Sequence, residues 1–288
     1  MDKYIALRLR MPTNRPEERT REPVIALHSS GASAHQWRRL GEALGGRYEL
    51  IAPSFYGCGQ TGPWQGERAF SLEAEARRIA AILDGLGSPA HLVGHSYGGA
   101  VALEVARARP GMVASLALYE PSSFHLLRQL GARAAAELSE IEAVAATVRA
   151  GLVNGAYQTA AAALVDYWKG AGTWESLWPE AGERLIEGLP KAALDLRALI
   201  EHDMPEAAYL RIRCPVLIVR GEHARGPSRL IAEELARRLP CGSLEVLPGA
   251  GHMGPLTHPG EVNRLIAGLI RANPCRTAEH HDAALIAA

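Results

Sequence analysis

The sequence predicts an α/β fold, a mostly parallel central sheet flanked by helices and interrupted by a helical insertion. Three observations predict it. Runs of consecutive apolar residues, such as Val24-Ile25-Ala26-Leu27-His28 and Val216-Leu217-Ile218-Val219, suit strands covered on both faces of a parallel sheet. These runs alternate with segments of helical spacing, which is the pattern of parallel strands joined by crossover helices. Between Ser122 and Arg211 strand-like runs vanish and helical spacing takes over.

Taken in order, Tyr4 to Arg10 alternates and reads as an edge strand, and Pro12 to Glu22 as a polar loop. The first buried strand ends in the small-residue loop His28-Ser29-Ser30-Gly31-Ala32-Ser33, before a helix containing Trp37 and Leu40. Such a loop lets backbone N–H groups face a ligand, and the Ser30 amide is a candidate oxyanion donor. Tyr48 to Pro53 is the next strand. Gly57-Cys58-Gly59-Gln60-Thr61-Gly62 then matches G-x-G-x-x-G literally. A dinucleotide site needs a helix opening at those glycines. Here Pro63, Trp64 and Gly66 follow, so the segment reads as a loop, with the helix starting at its cap, Ser71. Leu72, Ala76, Ile79, Ala80 and Leu83 make that helix's apolar face.

The next strand, turn and helix carry the chemistry. Gly94-His95-Ser96-Tyr97-Gly98 matches Gly-x-Ser-x-Gly at a strand-to-helix turn, the nucleophile elbow. A serine on so sharp a turn leaves no room for a side chain two residues before or after it. The amide of Tyr97 then points at the attacked carbonyl. Ser115 to Glu120 forms a further strand ended by Pro121, so Ser96 and Glu120 fall at the carboxyl ends of successive strands, where parallel sheets gather their chemistry.

Within the insertion, helices are expected around Leu138 to Gly151, Ala160 to Trp168, Glu183 to Leu189 and Ala192 to Leu199. Trp168, Trp174 and Trp178 cluster there, either packing the insertion or facing the site. After the strand Cys214 to Gly221 come a helix from Ser228 to Leu239 and the last strand, Ser243 to Leu247. That strand opens into the glycine-rich run Pro248-Gly249-Ala250-Gly251-His252-Met253-Gly254, which suits an exposed general base at His252. A helix from Glu261 to Ala272 closes the chain, followed by a loosely held tail from Asn273 that contains His280-His281.

Together these motifs resemble the α/β-hydrolase fold enzymes, in the branch of capped, carboxylesterase-like serine hydrolases, over roughly residues 22–272. The resemblance rests on His28-Ser29-Ser30-Gly31 with Trp37, Gly57-Cys58-Gly59, the elbow and Gly251-His252. Ser29 stands where the family usually has glycine. The resemblance implies a hydrolase core from residues 1–121 and 213–288 and a helical cap from residues 122–212. It also implies Ser96 as nucleophile, His252 as base, and the amides of Ser30 and Tyr97 as oxyanion hole. Most members carry an Asp after the strand that follows the cap. Here the matching run is Gly221-Glu222-His223-Ala224, with Ala224 at the acid position. A minority carry the acid one strand earlier, where Glu120 stands. Glu120 is therefore the expected acid, ahead of Glu222 and Asp203. His28, Ser29, Tyr97 and Trp168 are the expected pocket residues, with the Tyr97 side chain facing the substrate.

The expected activity is hydrolysis of a small-molecule ester without metal or cofactor. A lactonase, a C–C bond hydrolase and a non-catalytic ligand binder that keeps the pocket are the alternatives. The 31 basic residues balance the 31 acidic ones, which gives no electrostatic footprint for nucleic acid or a membrane surface. A basic region followed by a long apolar run is not seen near Met1, and four scattered cysteines form no CxxC pair, so a cytoplasmic setting with reduced thiols is expected.

Overall fold

A computed structural model describes residues 6–9 and 21–275. The tail with His280 and His281, most of the first polar loop and the outer residues of the first strand lie outside the described residues. The strands are β1 (Ala6–Leu9), β2 (Glu22–Leu27), β3 (Tyr48–Pro53), β4 (Ala90–His95), β5 (Val113–Tyr119), β6 (Val216–Gly221) and β7 (Gly242–Leu247). They form one sheet in the order β1-β3-β2-β4-β5-β6-β7. Every neighbouring pair is parallel except β1 with β3, so β1 is an antiparallel edge.

Continuous apolar strands follow from burial on both faces. In β2, Val24 and Ala26 pack with Leu40, Leu44, Ile266 and Ile270 on one face, while Ile25 and Leu27 pack with Ile79, Leu83, Val101 and Val105 on the other. Alternate side chains point to opposite faces, so a strand with helices on both sides has no polar positions to offer. The helices on the first face are α1 (Arg38–Leu44) and α11 (Pro259–Ala272); those on the second are α2 (Leu72–Asp84) and α3 (Tyr97–Ala108). Ser71 caps α2, its hydroxyl accepting the Ala74 amide at 3.3 Å. Ser71→Ala is expected to lower stability by about 1 kcal/mol in a urea titration.

The segment between β5 and β6 is helical, as expected: α4 (His125–Leu130), α5 (Ala135–Val153), α6 (Tyr157–Lys169), α7 (Pro179–Glu201) and α8 (Glu206–Tyr209). Its Phe124, Leu127, Ile141, Val148, Leu189 and Leu199 join the apolar cluster of the second sheet face. One expectation is corrected. The two helices read on either side of Pro190 are a single helix, α7, with Pro190 inside it. Leu189, Ala192, Leu196 and Leu199 keep one buried face through the proline, while Pro190 itself is exposed. On that solvent side, water can take up the carbonyl bond that the missing N–H gives up. The Gly57 to Gly62 run is a turn-rich loop and opens no helix, in line with the rejected dinucleotide reading. After β6 come α9 (Gly226–Arg238), β7 and the short α10 (Gly254–Thr257).

Candidate active site

The parallel order brings the carboxyl ends of β4 and β5 side by side, so Ser96 and Glu120 begin the loops of adjacent strands. These are the two non-glycine residues with positive φ among the described residues, at 55° for Ser96 and 39° for Glu120. Such backbone costs on the order of 1–3 kcal/mol per residue and persists where the surroundings enforce it. At Ser96 the enforcement is steric. A Cβ on Gly94 would lie 2.5 Å from the Gly98 carbonyl oxygen, and one on Gly98 would lie 2.5 Å from that of His28 and overlap that of Leu27. The room that the serine needs on both sides is thus bounded by the backbone carbonyls of Gly98, Leu27 and His28. Gly98→Ala is expected to give little folded protein, checked by the yield of the soluble chain and its melting temperature.

His252, in the loop after β7, meets both residues. Its Nδ1 lies 2.8 Å from Glu120 Oε2 and its Nε2 lies 3.0 Å from Ser96 Oγ. A carboxylate only accepts, so the ring hydrogen sits on Nδ1 and Nε2 is left to accept from the serine. Glu120 is fully buried, and its other oxygen accepts the Gly221 amide at 3.0 Å. The acids ranked behind it lie elsewhere. Glu222 is exposed and accepts the Gly249 amide at 2.8 Å; the Asp203 carboxylate is 80% exposed, 3.9 Å from Arg128. Ala224 is buried and offers no acceptor.

A cavity of about 350 Å³ opens over Ser96 and His252. Ser29, Ser30, Ser122 and Asp195 edge it on the polar side, and the Phe124, Leu164, Leu196 and Leu199 side chains line the apolar side. Ser30 and Tyr97 both border it, and among the described residues neither backbone amide makes a hydrogen bond. Trp168, from α6, lies over His252 with ring centroids 4.0 Å apart and stacks on Phe124 at 6.4 Å. Of the other two tryptophans in the insertion, Trp174 packs against the apolar cluster and Trp178 is 80% exposed.

Two pocket expectations are corrected. The Tyr97 side chain does not face the cavity. It is fully buried, packed edge-on against Phe55 at 5.0 Å, with its hydroxyl donating to Glu75 Oε2 at 3.4 Å. The residue after the serine starts α3, and its buried side chain packs inward against Phe55 and Glu75. His28 is also walled off. Its Nδ1–H donates to the Ser29 carbonyl at 2.7 Å and its Nε2 accepts the Phe55 amide at 3.3 Å. Burial pushes its pKa down to about 4, so it braces the loop as a neutral ring.

Several residues at the site have no clear sequence signal. Ser122 Oγ lies 3.0 Å from Ser96 Oγ, and the Ser122 amide donates to the Ser96 carbonyl at 3.1 Å. Gln36 and His95 tie the loop after β2 to the loop that carries His252. Gln36 Oε1 accepts the Ser29 amide at 3.1 Å and the Ser29 hydroxyl at 3.2 Å. Gln36 Nε2 donates to His95 Nδ1 at 3.1 Å, and His95 Nε2–H donates to the His252 carbonyl at 2.8 Å. Burial and the neighbouring His252 hold the His95 pKa far below its ordinary value, which keeps it neutral. Asp195, on α7, has the faint signal of an acid four residues after Lys191 beside an apolar helix face.

Glu22, His91 and Cys275 bring a carboxylate, an imidazole and a thiol within 4.8 Å of one another at the ends of β2 and β4 opposite Ser96. The facing atoms contact one another, with Glu22 Oε2 and Cys275 Sγ each 3.5 Å from His91 Nε2, while Arg47 donates to Glu22 at 2.6 Å and His91 Nδ1 lies 2.8 Å from Ser115 Oγ.

Residues 24–265 match the model of the family described as alpha/beta hydrolase family. Among curated proteins, Lipase LipV of Mycobacterium tuberculosis is 37% identical over 100 residues, 34% of this chain and 37% of that one, so the match spans little more than a third of the lipase. A pimeloyl-[acyl-carrier protein] methyl ester esterase of Chromobacterium violaceum is 29% identical over 248 residues, 85% of this chain and 92% of that one. Among solved structures, a thermophilic esterase from Thermogutta terrifontis superposes with a TM-score of 0.67 over 93% of both chains at 20% identity, a likeness of fold. No helix of the described residues is long and apolar enough to cross a membrane.

Proposed function

The chain belongs to the alpha/beta hydrolase family, and from that premise we propose that it is a serine hydrolase cleaving carboxylic esters of small to medium substrates through an acyl-enzyme intermediate. One observation carries the reading: the hydrogen-bonded line from Ser96 through His252 to Glu120 at the floor of a cavity of about 350 Å³. As Ser96 Oγ attacks the ester carbonyl, His252 Nε2 takes its proton. Glu120 holds the ring hydrogen on Nδ1 and stabilises the imidazolium that forms. The carbonyl oxygen, now negative, meets the amides of Ser30 and Tyr97; each such donor supplies about 3 kcal/mol of transition-state stabilisation. His252 returns the proton to the leaving alcohol. A water then enters, gives its proton to His252 and attacks the acyl group, which releases the acid and restores Ser96.

Residues 122–212 act in this reading as a cap over a core of residues 1–121 and 213–288. The ester assignment draws on the lipase and esterase named among the relatives. The size assignment draws on the wall of Leu164, Trp168, Leu196 and Leu199 that the insertion sets over the serine. Four cysteines without a disulfide fit a cytoplasmic setting.

The test is labelling with a fluorophosphonate probe, mapping of the adduct, and turnover of nitrophenyl esters of increasing chain length. An adduct on Ser96 with fastest turnover of short esters is expected. Folded protein that takes no label would move a non-catalytic binding role to first place. Trp168→Ala is expected to raise KM for an aromatic ester about 10-fold, near the upper end of what one aromatic contact supplies. An unchanged KM would remove Trp168 from the substrate wall.

A further inference from the structure

Ser30 and Tyr97, which both border the cavity, share more than that edge. The Ser30 hydroxyl donates to Asp195 Oδ2 at 2.6 Å, and the Tyr97 hydroxyl donates to Glu75 Oε2 at 3.4 Å. Lys191 joins the two acids: its ammonium lies 3.6 Å from Glu75 Oε2, bonds to Asp195 Oδ1, and sits over the Tyr97 ring at 4.7 Å. Glu75 and Asp195 are fully buried and the Lys191 side chain is 11% exposed. The remaining Glu75 oxygen accepts the Tyr56 amide at 3.2 Å, with Arg78 at 3.8 Å.

Four separate parts of the chain meet in this cluster. Glu75 comes from α2, Lys191 and Asp195 come from α7 of the insertion, Ser30 comes from the loop after β2, and Tyr97 is the first residue of α3. None of the three charged residues takes part in the proton transfers described above. A buried lysine between two buried acids is an expensive arrangement unless every member is bonded, and a bonded one tolerates few alternative positions. Burial pushes the Glu75 carboxyl up to about 7, while on Lys191 the two acids outweigh burial and hold the ammonium charged.

Resting on the ester-hydrolase reading, we infer that the Glu75–Lys191–Asp195 cluster is the positioning device of the oxyanion hole: it holds the side chains of Ser30 and Tyr97 so that their amides converge on one point. The insertion therefore contributes to transition-state stabilisation from behind the hole as well as to the cavity wall. Asp195 acts through Ser30 and Glu75 acts through Tyr97, and neither needs to touch the reacting atoms. Fixed donors are effective because no reorganisation is needed when charge develops.

The experiment compares wild type with Ser30→Ala, Asp195→Ala and Asp195→Asn, using a short-chain nitrophenyl ester and a boronic acid that mimics the tetrahedral adduct. Ser30→Ala removes one hydroxyl and keeps the backbone amide, so it carries little risk to folding. For Ser30→Ala and Asp195→Ala, kcat is expected to fall about 10- to 100-fold with KM within about 2-fold, and boronic acid affinity to fall in parallel with kcat/KM. Asp195→Asn, which keeps an acceptor for the Ser30 hydroxyl, is expected to recover part of that loss. A loss seen in KM with kcat intact would make Asp195 a substrate-binding residue instead. Lower melting temperatures with unchanged kcat would make the cluster structural only, and either result overturns the positioning role. An inactive, unlabelled wild type overturns the hydrolase reading itself, so the two failures are distinct.

Discussion

Ser96→Ala is expected to lower kcat for a nitrophenyl ester on the order of 10⁶-fold while leaving the fold intact. Alanine at this position removes the one atom that lies 3.0 Å from His252 Nε2 and keeps the backbone of the turn. Ser122 does not replace it. Its hydroxyl lies 3.0 Å from Ser96 Oγ, yet its amide is spent on the Ser96 carbonyl and the proton acceptor His252 Nε2 is aimed at Ser96. Alanine keeps the Cβ and therefore the same turn at φ 55°, so the melting temperature should change little. The check is single-turnover kinetics with the purified variant, together with fluorophosphonate labelling. Residual turnover within about 100-fold of wild type would place the nucleophile elsewhere, because the groups of a triad act as a unit.

Glu120→Gln is expected to lower kcat about 10⁴-fold with little change in KM. The side chain keeps its volume, and the amide oxygen still accepts from Gly221, as Glu120 Oε1 does at 3.0 Å. Its NH₂ group then faces His252 Nδ1 in place of the carboxylate oxygen 2.8 Å away. A donor there drives the ring hydrogen to Nε2, the tautomer that cannot accept from Ser96, and leaves the imidazolium without its counter-charge. Glu222→Gln is the control and should keep kcat within about 3-fold, since its carboxylate bonds the Gly249 amide at the exposed surface. Full activity in Glu120→Gln, or a loss confined to Glu222→Gln, would return the acid to the strand after the insertion.

Much of this site is local, and local features are what a sequence carries. The elbow needs glycine on both sides of Ser96 because a Cβ at either place would meet backbone, so the requirement is written in five consecutive residues. The strands were legible because burial on both faces leaves no polar alternation to confuse them with surface segments. His252 was legible as the one histidine in a glycine-rich loop after the last strand. Ala224 at the usual acid position pointed back to Glu120, and the structure brings Glu120 rather than Glu222 or Asp203 to the imidazole.

What the sequence did not carry depends on distant segments meeting. Pro190 reads as a helix break, yet α7 continues, because a buried apolar face on both sides outweighs one lost hydrogen bond on the solvent side. The Tyr97 side chain was expected in the pocket; only the packing of Phe55 and Glu75 beneath it shows that it points inward. Gln36, His95, Ser122 and Asp195 are ordinary residues in their own neighbourhoods. Asp195 reaches Ser30 across 165 positions of chain, and His95 reaches His252 across 157. The chain by itself determined the strand-turn-helix elements and the residue types that hold a strained serine, since those follow from sterics and burial within a few residues. Which side chains face that serine, and which brace it from behind, was decided by the tertiary structure, because short-range hydrogen bonds and buried charges depend on distances that sequence separation does not set.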